Sequence, residues 1–168
     1  MTPTPKPVTT AASHTHEALS PEHIAECTLA VEKACAQRSV RLTPTRRAAY
    51  QVMLEHGTPI SAYELLDRLQ ARLARRLAPP TVYRALDFLL GEGFVHRIES
   101  RNAYVPCDHP GDHHESVYFI CSVCGASQEG NGGRVRSQLT DQAERLGFVA
   151  DRQVIEVHGR CRACVDQG

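Results

Sequence analysis

The sequence predicts an α+β protein, with an N-terminal winged helix-turn-helix followed by a small C-terminal α/β domain. Three observations predict it. Apolar residues recur at helical spacing, punctuated by N-cap and stop signals, from about Pro21 to Gly93. Two short β-like runs, FVHRIES (94–100) and NAYVPC (102–107), follow directly, with a turn around Ser100 to Asn102. Two Cys-x-x-Cys pairs then bracket a helix and a strand.

The opening stretch MTPTPKPVTTAASHTH has no periodicity and too little apolar content to pack. Residues 1–20 are therefore expected to be a disordered tail, carrying His14 and His16. Residues 21–107 are assigned to the winged helix. Its first helix runs from Pro21 to about Arg38 on a stripe of Ile24, Cys27, Leu29, Val31 and Ala34. Cys27 and Cys35 on this helix read as small buried hydrophobes. Thr43-Pro44 caps and opens a second helix, which carries Ala48, Val52 and Met53 and stops at Gly57. Ser61 and Glu64 make a capping box for the third, whose apolar face is Leu65, Leu66, Leu69 and Leu73. The fourth begins at Pro79-Pro80-Thr81 and turns Val82, Leu86, Leu89 and Leu90 inward. Thr81, Tyr83, Arg84 and Asp87 remain outside, and Gly91 and Gly93 end the helix.

Residues 108–116, DHPGDHHES, form a polar hinge loop, and residues 117–168 the second domain. That domain starts with the strand VYFIC (117–121), a knuckle to Gly125 and a short strand near Ala126 to Glu129. A helix from about Gly133 to Leu146 places Val135, Leu139, Ala143 and Leu146 at helical spacing. FVADRQVIEVHG (148–159) closes the sheet as a longer strand.

The chain holds seven Cys and nine His, and its N-terminus lacks the apolar stretch of an export signal. A cytoplasmic protein keeps its thiols reduced, so metal binding is the leading reading of the cysteines. Cys121, Cys124, Cys161 and Cys164 make a complete thiolate set, the two pairs 36 residues apart. Zn²⁺ suits it, because the ion is borderline-soft, has no redox chemistry and forms closed tetrahedral Cys₄ sites that are structural. A second group is less regular: His96 and Cys107 in the wing, His113 and His114 in the loop, and Glu129 beyond the knuckle. A metal held by residues from both sides of the hinge selects one arrangement of the domains.

Net charge is zero, yet it divides into −2 over residues 1–37, +5 over 38–98 and −3 over 99–168. A basic segment between two acidic ones is a reason to look for a phosphate-binding surface there, since Lys and Arg clustered on one part of a domain are the footprint of nucleic-acid binding and, as often, simply a solvated charged face. Arg84, on the polar face of the fourth helix, suits a bidentate contact with guanine. Arg46, Arg47, Arg75, Arg76 and Arg97 suit phosphates.

The segments CAQRSVRLTPTRR (35–47), ISAYELLD (60–67), PPTVYRALDFLLGEGFVHRIES (79–100), FICSVCG (119–125) and VIEVHGRCRACV (154–165) resemble the ferric uptake regulator family, specifically its zinc-sensing branch. The resemblance covers nearly everything after residue 20. It implies a homodimeric repressor of zinc-uptake genes, with a winged helix on double-stranded palindromic operator DNA, a hinge and a C-terminal dimerisation domain. It also implies two Zn²⁺ per chain: a structural ion on Cys121, Cys124, Cys161 and Cys164, and a regulatory ion on His96, Cys107, His114 and Glu129. His114 is taken over His113 because it lies seven residues before Cys121, as the matching ligand does in the branch. Arg84 is implied to reach purine edges and Tyr63 to contact DNA nearby, with Thr81, Arg46 and Arg47 completing the DNA-binding set.

Other classes fare worse. No Ser/His/Asp constellation, HExxH motif or phosphate-cradling Gly-rich loop supports an enzyme. No apolar run approaches the roughly 20 residues of a membrane helix. An iron- or peroxide-responsive regulator of the same fold is the alternative reading, against which Cys107 argues, since a thiolate biases a site toward zinc.

Overall fold

The computed structural model describes residues 19–110 and 116–166. The expected tail up to residue 18 and loop residues 111–115 lie outside them. Helix α1 (Pro21–Gln37) starts where Ser20 accepts a hydrogen bond from the His23 amide and Pro21 fills the first turn. Its buried side is rotated from the expected stripe. Leu29 is exposed, and Thr28 points inward because its hydroxyl donates to the Ile24 carbonyl at 2.7 Å, which leaves no unsatisfied polar atom there. Cys35 is buried as expected, whereas Cys27 is only partly so.

Helix α2 (Pro44–His56) is capped by Thr43 and ends at Gly57, whose φ of +71° suits glycine. Ser61 caps α3 (Ala62–Leu73), and α4 (Pro79–Gly91) opens on its paired prolines. Met53, Leu65, Leu69, Leu86, Leu89 and Phe94 are fully buried between these helices and the wing. Each contributes roughly 1.5–3 kcal/mol by leaving water, so this half has a substantial core of its own.

The wing pairs β2 (Val95–Ile98) with β3 (Ala103–Pro106) antiparallel, joined by a 3-10 turn at Glu99–Arg101. A strand the sequence did not suggest, β1 (Ile60–Ser61), adds to the outer edge of β3 through Ile60↔Tyr104. Two residues are too few to show alternation, so only the neighbouring strand reveals it.

In the second sheet, β4 (Ser116–Cys121) lies between antiparallel β5 (Ser127–Asn131) and parallel β6 (Glu156–Gly159). The closing strand is shorter than the expected 148–159, because β4 offers partners only from Tyr118↔Glu156 to Cys121↔Gly159. Phe148 and Val149 accordingly stay exposed. Helix α5 (Gly133–Arg145) buries none of its residues, and a short α6 (Arg162–Asp166) carries the last knuckle. Ile98 and Val105 of the wing meet Tyr118 and Ile120 of β4 in a small apolar cluster that joins the two sheets.

Candidate metal centres and nucleic-acid interface

The first knuckle is shaped by backbone hydrogen bonds. The Cys121 carbonyl accepts from the Gly125 amide at 3.1 Å, and the Cys121 amide donates to the Ala126 carbonyl at 2.8 Å. The second forms as α6 begins, where the Cys164 and Val165 amides donate to the Cys161 carbonyl. Parallel pairing of β4 and β6 sets the knuckles side by side, and the Cys121, Cys124, Cys161 and Cys164 sulfurs all lie within 4.8 Å of one another.

The N–H groups of Cys124 and Cys161 draw the Cys121 thiol down to about 5. Hydrogen bonding with the Cys161 and Cys124 sulfurs pushes the Cys164 thiol up to about 12. Four sulfurs this close ionise together only with a cation among them. The donor set therefore fits a soft divalent ion held in a closed tetrahedron.

The second cluster spans the two sheets. His96 lies on β2, Cys107 directly follows β3, and Glu129 lies on β5, with one ligand atom from each inside a 4.8 Å group. Glu129, its side chain only 6% exposed, accepts from the Ser116 hydroxyl and from the Asp108 amide at 3.1 Å. These donors orient the carboxylate toward His96 Nε2, 4.0 Å away. The His96 ring sits 5.4 Å from that of Tyr118. Burial, reinforced by the Glu129 carboxylate, keeps the Tyr118 phenol well above its usual pKa and so neutral. Imidazole, thiolate and carboxylate make a mixed set suited to zinc. His114 and His113, the expected fourth-ligand candidates, lie outside the described residues.

On the winged helix, Tyr63 is 72% exposed and Arg84 stands exposed on α4 beside half-buried Thr81. Among the described residues no ion pair or hydrogen bond engages Arg84. The other arginines differ. Arg47 pairs with Glu32 of α1 at 2.7 Å. The Arg46 guanidinium lies 3.7 Å from the Phe88 ring centroid and donates to the Arg41 carbonyl. Arg75 donates to the Thr45 hydroxyl, and Arg97 pairs with Glu99. Sequence reasoning missed Ser116, the Asp108 amide and Tyr118, which orient Glu129 and His96. Nothing in residue type or spacing marks them.

A winged helix joined to a small α/β unit, with two clusters of metal-ligating side chains, defines the class: a metal-binding winged-helix protein. Residues 37–158 match the model of the ferric uptake regulator family, and the chain belongs to that family. It is a transcription regulator, not an enzyme. It is 49% identical to the zinc uptake regulation protein of Escherichia coli strain K12, over 80% of this chain and 79% of that one. A zinc uptake regulator solved in complex with zinc and DNA is 46% identical and superposes with a TM-score of 0.79, over 86% of this chain and 96% of that one. The holo form of a regulator designated XcZur (44% identical, 84% and 98% covered) superposes at 0.77. Its apo form (43% identical, 86% and 99% covered) superposes at 0.50.

Proposed function

We propose that the chain is a zinc-responsive repressor that binds operator DNA as a homodimer and controls zinc-uptake genes. One observation carries this reading: His96 and Cys107 come from the wing, Glu129 comes from the other sheet, and their ligand atoms meet within 4.8 Å. Closer superposition on the holo than on the apo relative supports it.

His96, Cys107 and Glu129, with His114 as the expected fourth ligand, would hold the regulatory ion, and the four cysteines of the knuckles a structural one, making two Zn²⁺ per chain. Bound Zn²⁺ supplies positive charge and directional coordination, and no hydrolytic or redox step. His96 and Cys107 bring the wing to Glu129, and the Asp108 amide brings the end of the wing to the same carboxylate. With the wing held there, α4 presents Arg84 and Thr81 to the major groove, and two protomers set their α4 helices at the spacing of a palindromic site. The coupling between zinc and operator is typically about 1 to 3 kcal/mol in such switches.

Dimerisation through the C-terminal unit is supported by Phe119, Val135, Leu139 and Val157, large apolar side chains left exposed in the single chain. By this reading residues 21–107 are the DNA-binding domain, 108–116 the hinge and 117–168 the dimerisation domain. The test is to count zinc per chain and titrate labelled promoter DNA of a zinc-uptake gene against buffered free Zn²⁺ and Fe²⁺. Two ions per chain and tighter binding as zinc rises are expected. Equal affinity with and without zinc overturns the reading.

A further inference from the structure

The wing hairpin is held at both ends, by different chemistry at each. At its open end stand His96 and Cys107, against Glu129. At its tip, roughly 10 Å further along the strands, the 3-10 turn is gripped by the C-terminal unit. Both oxygens of the Glu156 carboxylate are engaged by consecutive backbone amides, Glu99 N at 2.6 Å and Ser100 N at 3.2 Å. The Arg101 guanidinium donates to two carbonyls of the first cysteine knuckle, Cys121 O at 2.8 Å and Gly125 O at 3.1 Å. Arg152 adds an ion pair to Glu99.

We propose that Arg101 and Glu156 are positioning residues for operator binding, a latch that fixes the wing to the Cys₄ knuckle and to β6 and thereby sets the tilt of the DNA-binding half. This rests on the regulator reading above. A single attachment point leaves the hairpin free to pivot, and a second at the far end removes that rotation. The apolar contact between the halves is too small to do this alone. Among the described residues its buried part is Ile98 and Val105 on Tyr118 and Ile120, and a cleft of about 310 Å³ opens beside it between β2 and residues 152–156.

Gly125 shows how closely the knuckle is shaped to the wing. Its φ is +83°, and an added Cβ would lie 3.1 Å from Arg101 Nη1. The loop that carries Cys121 and Cys124 is thus also the receptor for Arg101, so the Cys₄ site acts on the wing as well as closing its own domain. Burial alone would raise the Glu156 carboxyl pKa, but Ser100 and the amides of Glu99 and Ser100 outweigh it and keep the carboxylate ionised.

The test compares the full-length zinc-loaded wild type with Arg101→Ala, Arg101→Lys and Glu156→Gln. Three readouts are taken: zinc per chain, amide hydrogen exchange at Glu99 and Ser100, and operator affinity with and without zinc. In Arg101→Ala and Glu156→Gln, zinc per chain and exchange in the α2–α4 core should match wild type. The Glu99 and Ser100 amides should exchange at least tenfold faster, and zinc-loaded operator affinity should fall roughly tenfold with zinc-free affinity unchanged. Arg101→Lys, which keeps a donor, should recover part of both. A merely structural role would instead lower zinc content and zinc-free DNA binding together. Unchanged exchange at Glu99 and Ser100, or unchanged zinc-loaded affinity, overturns the latch. A wild type that shows no zinc-dependent binding, yet still shows the exchange difference, overturns the regulator reading and leaves the contact itself standing.

Discussion

The Glu129 carboxylate faces His96 Nε2 at 4.0 Å although the two residues belong to separate sheets. The distance spans the junction between the winged helix and the C-terminal unit, so whatever binds between these residues binds to the arrangement of the two halves.

Replacing Cys107 should therefore uncouple the switch without unfolding the chain. Cys107→Ser is expected to lower zinc-loaded operator affinity by roughly 5- to 150-fold, with the oligomeric state and circular dichroism of wild type. Gel-shift titration at buffered zinc, beside analytical ultracentrifugation, measures both.

Cys121→Ser should behave differently. Helix α5 buries none of its residues, and half of the apolar cluster under β4 belongs to the wing. Without the thiolate cluster the C-terminal unit has little to hold it together, whereas the α2–α4 core is independent. Loss of hydrogen-exchange protection in β4–β6, with α2–α4 still protected, is the expected outcome in the variant and in chelator-treated wild type.

Arg84 and Arg76 should separate specificity from charge. Arg84→Ala is expected to cost about 1 to 3 kcal/mol against the cognate site and to relax the preference for one base pair. Arg76→Ala should weaken all DNA alike and reduce the salt slope by about one. A salt series on cognate and scrambled duplexes distinguishes them.

Acid should remove one contribution to the winged helix. Hydrogen bonding from Arg68 holds the Glu64 carboxyl below its usual pKa; burial opposes the shift and His56 assists it. A lowered folded pKa stabilises fully above the unfolded value of about 4.3 and is lost as pH falls through the folded one. Glu64→Gln should cost about 0.5 kcal/mol near neutrality, solvent screening keeping it small. The difference in melting temperature from wild type should shrink as pH falls below about 4.3 and vanish once pH is below the lowered folded pKa.

Local chemistry made much of this legible beforehand. Thr43-Pro44, Ser61, Gly57 and Pro79-Pro80 mark helix ends through chemistry within a few residues, and α2, α3 and α4 lie where those signals put them. Glu64, however, completes only half of the expected capping box: its amide donates to Ser61 while its carboxylate meets Arg68 and His56. Cys-x-x-Cys spacing names its own ligands, because one knuckle presents two sulfurs to one ion. The rotation of α1, the pairing of β1 and the short reach of β6 depend on neighbours distant in the chain, and periodicity carries no trace of them.

By itself, then, the sequence determined the order of the helices, the wing, the Cys₄ set and the family. Tertiary structure alone decided that Ser116 and the Asp108 amide hold Glu129, and that Glu156, 57 positions beyond Glu99, grips the turn of the wing. The reason is physical. A carboxylate bonding to backbone amides asks nothing of the side chains it meets, so only the path of the folded chain brings them together.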